Sequence, residues 1–225
     1  MANSPTGRPA PGRRTPHVRA VVRDLVRRHP ARWWGASGAS ALEVLFALSV
    51  SATASAMAIP VVDGAIDEMR TAMAARYLEG RIRGARMDAV RRSRAVGLKF
   101  EAEPDADYTF AAFGDGNGNG VRTSEISDGV DSSLGSVERL SDRFPGVSFG
   151  LGAGVPDADG REGTGEDGLR IGTARILTMS SDGTATSGTL YIRGQRGQYA
   201  VRVLGATGRT RMLQYDPGSR TWIDR

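Results

Sequence analysis

The hydrophobic pattern changes period twice along the chain, and each change marks an element. From Ala39 to Ile59 there is no Lys or Arg, and Val44, Leu45, Phe46 and Leu48 are diluted by Ser49, Ser51, Thr53 and Ser55. As a helix this run spans ~30 Å, about one hydrocarbon core. Across residues 61–97, Val62, Ile66, Met69, Met73 and Tyr77 recur at spacings of three and four, with Ile82, Ala85 and Val90 extending the stripe. That spacing predicts an amphipathic helix continuing the apolar one, ~85 Å in all. Beyond Gly97, short alternating segments broken by Gly and Asp predict antiparallel strands at 108–113, 147–151, 174–179, 188–193, 198–204, 209–215 and 220–223. The last four are spaced as a meander, with turns at 194–197 and 206–208, and 152–168 reads as a flexible Gly-rich acidic loop. The fold class is therefore α+β: a long N-terminal helix packed on a C-terminal antiparallel sheet domain over 98–225.

Charge divides the chain along the same lines. The net +5 is a sum of +7 over residues 1–38, +2 over 39–97, −10 over 98–168 and +6 over 169–225. Such segregation points to separate environments rather than to one uniformly basic nucleic-acid binder. With no Cys, disulfides, thiolate metal sites and thiol catalysis are excluded. Both His residues, His17 and His29, lie in the first segment, so its removal leaves no imidazole for acid–base work at neutral pH.

Arg27, Arg28, Arg32 and the pair Trp33–Trp34 precede the apolar run, which predicts a cytoplasmic N-terminus with the tryptophans at the interface. Ala54–Ser55–Ala56 before Met57 also satisfies the rule for secretory signal cleavage, and an unprocessed anchor is a third possibility. Glu43 distinguishes these readings. A carboxylate inside an apolar span costs ~2.5–3.5 kcal/mol on insertion scales, and it has no role in a signal peptide. Counted from Ala39, after Gly38, Glu43 is the fifth residue and Pro60 the twenty-second. This arrangement resembles the N-terminus of type IV pilins and pseudopilins. The resemblance implies cleavage by a prepilin peptidase between Gly38 and Ala39, N-methylation, a helix kinked near Pro60, and assembly in which Glu43 meets the free amino terminus of a neighbouring subunit.

A second set of residues points the same way. Residues 85–92 (Ala-Arg-Met-Asp-Ala-Val-Arg-Arg) with Val96, then Ser181–Thr184 with Ser187–Ile192, then Thr207-Gly208-Arg209-Thr210-Arg211, resemble the H-type minor pseudopilins of type II secretion and the FimT-like minor pilins. The likeness covers residues 38–100 well and 174–213 moderately. It departs from the family at Ala39, where Phe is more usual, and in the polar dilution of the span. It implies a single-pass inner-membrane protein with a periplasmic domain, whose partners are other pilins, the assembly platform, the prepilin peptidase and a secreted cargo or DNA.

Two stretches are candidate ligand sites. Asp115, Asn117 and Asn119 occupy positions one, three and five of an EF-hand-type calcium loop, Gly120 position six, and Glu125 position eleven, where twelve is usual; Asp128 or Asp131 are substitutes. A metal-free Gly/Asn turn explains the same residues. No cofactor is required by this reading, and calcium is the one candidate. Arg209 and Arg211, with Arg193, Arg196, Arg202 and Arg220, form a basic strand edge suited to phosphate contacts with DNA or simply to solvation, and no aromatic interleaving supports base stacking. No phosphate-binding loop, nucleophile elbow or facing carboxylate pair marks an enzyme.

Overall fold

Ser40 starts the first helix. In the computed structural model, which describes residues 38–104, 107–161 and 167–225 without the side chains of 58–61, α1 runs over Ala41–Arg92. By its internal contacts the chain divides into two units, Met1–Ser51 and Ala52–Arg225. The described part of the first is the opening of α1, exposed throughout. The basic leader to residue 37 and the Pro60 side chain lie outside the described residues.

The helix stops short of the expected Gly97. Ser93 takes φ 52, the left-handed conformation, and the amides of Ser93 and Arg94 donate to the carbonyls of Val90 (3.2 Å) and Ala89 (3.2 Å). These are the two bonds of a Schellman cap, made here on a serine where glycine is usual. The chain then turns directly into β1 (Val96–Ala102), a strand in place of the expected end of the helix.

Two antiparallel sheets follow. The first has the order β3–β2–β1–β7, built from β2 (Tyr108–Gly114), β3 (Ser132–Ser133) and β7 (Ile176–Met179), with β4 (Glu138–Arg139) also paired to β2. The second has the order β11–β10–β9–β8–β5, with β5 (Ser148–Phe149), β8 (Gly188–Arg193), β9 (Gln198–Leu204), β10 (Arg209–Asp216) and β11 (Thr221–Asp224); β6 (Leu169–Arg170) pairs with β8. Short helices α2 (Thr123–Ser127) and α3 (Leu140–Arg143) lie in the connections. The meander β8–β11 matches the sequence expectation, whereas β1, β3, β4 and β6 carry pairing that short alternation did not reveal.

One core joins both sheets to α1. Phe100, Phe110 and Tyr108 from the first sheet meet Phe149 edge-on at centroid distances of 5.7, 6.2 and 6.0 Å, beside Leu98, Leu177, Leu190, Ile192, Val201 and Val203. The helix contributes Ala74, Ala75, Leu78, Ile82, Ala85 and Ala89. Of the stripe that the hydrophobic spacing selects, only Ile82 and Ala85 lie in this core, with Tyr77 packed at its margin. Val62, Met69, Met73 and Val90 are 53, 58, 41 and 47% exposed, on the opposite side of the helix. The small alanines allow the sheets to approach the helix backbone, so the less hydrophobic face is the one that packs.

Two carboxylates lock this arrangement. Asp67 on α1 accepts from the backbone amides of Gln195 (2.9 Å), Arg196 (2.7 Å) and Gly197 (3.1 Å) in the β8–β9 turn. Burial works to raise its carboxyl pKa, but those three N–H bonds and the Arg196 charge outweigh it and hold the group below the usual carboxylate range. The turn lies so close to the helix that a Cβ on Gly194 would run into Thr71 Oγ1. Asp107, 4% exposed, accepts from Arg139 Nε (3.1 Å), Ser141 Oγ (3.0 Å) and Phe149 N (3.1 Å), tying β4, α3 and β5 together.

Candidate functional site

The first candidate is the start of α1. Gly38 is exposed, and a Cβ there would meet nothing within 4 Å. Ser40 Oγ accepts from Glu43 N at 3.2 Å and Ser40 O from Val44 N at 3.1 Å, so Ser40 is the N-cap and Glu43 the third helical residue. This is the spacing of a capping box, Ser-x-x-Glu. Glu43 thus has a local role that the sequence reading missed: its carboxylate lies in the first turn, at the positive end of the helix dipole. The signal was present in Ser40-Ala41-Leu42-Glu43. Around it Leu42, Leu45, Phe46 and Leu48 are 77, 64, 70 and 61% exposed. The helix is long and apolar enough to cross a membrane, and none of its most apolar window is buried.

The second candidate is the loop between β2 and α2, which brings Asp115, Asn117, Asn119 and Glu125 together. Asp115 Oδ1 accepts from Asn117 N (3.1 Å) and Gly118 N (2.7 Å), and Oδ2 from Gly120 N (2.9 Å). Gly118 and Gly120 have φ of 88 and 91, a conformation that favours glycine. Burial works to raise the Asp115 pKa, but the amides of Gly120, Gly118, Asn117 and Asn119 overcome it and keep the carboxyl below its ordinary value. Asn119 Nδ2 donates to Glu125 Oε1 at 2.8 Å, while the buried Glu125 Oε2 has no partner among the described residues. Asp131, one expected substitute ligand, is fully engaged, accepting from Gly116 N (3.0 Å) and Arg122 N (2.8 Å). Asp128, the other, is exposed. No group of three or more His, Cys, Asp or Glu side chains suited to a metal occurs among the described residues. The backbone N–H bonds already make this a complete turn.

Arg209 and Arg211, the third candidate, share a face of β10. Arg211 lies opposite Arg202 on β9, and Arg209 opposite Leu204. The fold adds aromatics that the linear order hid: Trp222 is 5.6 Å from Tyr191 and 5.5 Å from Tyr215, ring centre to ring centre, with Tyr215 and Trp222 paired across β10 and β11. Yet the aromatic end of this face is covered, while Arg209 and Arg211 themselves are exposed. Residues 156–159 of the 152–168 loop, expected to be flexible, are bonded across that end: Trp222 Nε1 donates to Pro156 O (2.9 Å), Ala158 N to Tyr191 OH (2.9 Å), and Arg202 Nη2 to Asp159 Oδ1 (2.7 Å). Arg211 has Asp224 at 3.9 Å.

The Gly208 that precedes these arginines has a packing reason. It adopts φ 59, and a Cβ there would run into Gly183 O and come within 2.7 Å of Arg86 Nε. Arg86 Nε in turn donates to Gly183 O at 3.0 Å. The three sequence blocks that recur in order, around Arg86, Gly183 and Gly208, therefore meet at one point in space. Their co-occurrence follows from the docking of two turns on α1.

No family model matches this chain, and no curated protein matches it. Among solved structures it is similar to the minor pseudopilin EpsH from the Type 2 Secretion System of Vibrio cholerae, at 15% identity, over 64% of this chain and 97% of that one, with a TM-score of 0.40. A likeness at that level fixes neither the fold nor the activity of this chain.

Proposed function

We propose that this chain is a minor pseudopilin or pilin-like subunit of a type II secretion or type IV pilus-like filament. In this reading a prepilin peptidase cuts between Gly38 and Ala39, the inner membrane holds the subunit with its N-terminus cytoplasmic and its sheets periplasmic, and α1 mediates assembly. The observation that carries the reading is Glu43 in the first turn of a helix whose surrounding apolar side chains are all exposed. Such a surface needs lipid or other helices around it. In either setting the carboxylate requires a compensating charge, and the free amino group of Ala39 on an adjacent subunit supplies one. The role is assembly rather than chemistry, and partner choice falls to the surfaces of residues 52–225.

The test is the mature N-terminus. Sequencing should begin at Ala39; a start at Met57 would mean that signal peptidase had removed the assembly helix, and would sink the reading. Glu43→Val should insert in the membrane at least as well as the parent yet cross-link less to neighbouring pilins, and equal cross-linking would remove Glu43 from assembly. Arg209 and Arg211 also leave a DNA-uptake reading open. It is the weaker one, because residues 156–159 already cover the aromatic part of their face and supply a carboxylate to Arg202.

A further inference from the structure

Where α1 enters the sheet domain, it and two turns enclose a groove of about 500 Å³. Gly64 and Glu68 belong to its helix wall, Arg196 of the β8–β9 turn to one side, and Gln214, Tyr215 and Pro217 of the β10–β11 hairpin to the other. Gly64 keeps it open, because a Cβ there would run into the Arg196 guanidinium, which lies against the helix. Gln214 Nε2 donates to Glu68 Oε1 at 2.9 Å, tying the helix wall to the hairpin, while Glu68 stays exposed.

Height along α1 decides what reaches this groove. The apolar run ends in Ile59-Pro60-Val61-Val62, and Asp63 is the first charged residue after Glu43. At 1.5 Å per residue, Gly64 lies ~3 Å and Glu68 ~9 Å beyond Val62 along the helix. Headgroups add ~5–7 Å to each side of a hydrocarbon core, so a helix leaving the core at Val62 holds the groove at headgroup level. Charge narrows the ligand. Arg196 and Arg225, the latter bonded to Gln214 Oε1 at 2.7 Å, stand against Asp63, Asp67, Glu68 and Asp216 at or beside the lining. That excess of acids opposes a headgroup of net negative charge. A zwitterion is matched: a guanidinium suits a phosphodiester, and a carboxylate beside a tyrosine ring suits an ammonium.

We infer that this groove seats the headgroup of a phospholipid that carries a primary amine, the aminoethyl phosphodiester of phosphatidylethanolamine, with its phosphate on Arg196 and its ammonium on Glu68. One seated headgroup fixes which side of the sheet domain faces the membrane before any assembly. The inference rests on the reading of α1 as a membrane-held helix, and its test scores insertion separately.

The full chain is reconstituted in vesicles of equal parts phosphatidylethanolamine, phosphatidylcholine and phosphatidylglycerol and floated on a density gradient. It is then extracted in mild detergent, and the lipids that stay bound are counted by native mass spectrometry. Phosphatidylethanolamine should be retained about 2- to 5-fold over phosphatidylcholine, whose quaternary ammonium cannot donate to Glu68, and over phosphatidylglycerol, which has no ammonium. Glu68→Gln keeps the acceptor for Gln214 and loses the charge, and should abolish the preference. Arg196→Gln keeps the backbone amide that bonds Asp67 and should lower retention of all three lipids by a similar factor. Both variants should melt at the parent's temperature. Equal retention of the three lipids by the parent, or an unchanged pattern in both variants, would overturn the inference. Competition by equimolar soluble glycerophosphoethanolamine would overturn the assignment to a membrane lipid. A chain that floats yet shows no preference fails here alone, whereas a chain that does not float fails the filament reading.

Discussion

Asp67 should behave as a pH-dependent latch between α1 and the β8–β9 turn. Three backbone N–H donors converge on its carboxylate at 2.7–3.1 Å. A hydrogen bond to a charged acceptor contributes about 1.5–3 kcal/mol when well buried. Here the bonds from Gln195 and Arg196 lie at an exposed turn, where water can replace the lost acceptor, so the gain per bond falls toward the surface value. Asp67→Ala is therefore expected to cost about 2 kcal/mol in total, with Asp67→Asn, which keeps one acceptor and loses the charge, in between. The group's folded pKa is depressed. Its contribution is thus fully present above the unfolded value of about 3.9 and is lost as pH falls through the lower folded value. Urea unfolding of the full chain in detergent, at neutral pH and at about pH 3, measures this. The difference between wild type and Asp67→Ala should be constant down to about pH 5 and shrink below pH 4. No difference at neutral pH, or a difference that persists unchanged in acid, would refute the latch.

Gly208→Ala should destabilise by about 2 kcal/mol or more, because the new methyl meets Gly183 O and Arg86, whereas Arg209→Ala should change stability by less than about 0.5 kcal/mol; thermal melts of the two variants separate packing from charge at this motif. Ser93→Gly should stabilise by about 0.5–1 kcal/mol, since it relieves a left-handed residue in the α1 cap at some cost in unfolded-chain entropy, and a loss of stability would rule out the Schellman geometry. Asp115→Ala should destabilise the β2–α2 loop without any metal by removing three N–H acceptor bonds. If Glu125 Oε2 completes a calcium site, millimolar calcium should also raise the wild-type melting temperature, by an amount that follows calcium concentration over Kd, and Asp115→Ala should abolish the rise; an unchanged wild-type curve leaves the loop a metal-free turn.

What could be read from the sequence was what local pattern encodes. The apolar run with Glu43 inside it, and the β8–β11 meander, each announce themselves within a few residues through period and turn chemistry. The packing face of α1 was not legible that way. Methionine and valine outrank alanine on any hydrophobic scale, so the stripe through Met69 and Met73 dominates, yet close approach of the sheets selects the small residues Ala74, Ala75 and Ala89, and of the stripe itself only Ile82 and Ala85 join them. The strand β1 was masked by the helical rhythm running into it, although Leu98-Lys99-Phe100-Glu101 alternates as a strand should. At residues 156–159 the anchoring atoms are largely backbone ones, Pro156 O and Ala158 N, and a side-chain pattern cannot register them. The aromatic neighbours of Arg209 and Arg211 come from other strands, and only the sheet register brings them together.

The alanine face of α1 has an evolutionary consequence. On that side every enlargement pushes two sheets at once, so sequence change there is confined to residues no larger than those present. On the opposite side Met69, Met73 and Met87 are 58, 41 and 60% exposed, and exchanges there disturb the domain far less. One helix thus carries two independently inherited traits, and a duplicated gene for this chain could acquire a new neighbour in an assembly by drift along a single outward row of side chains while its sheets stayed as they were.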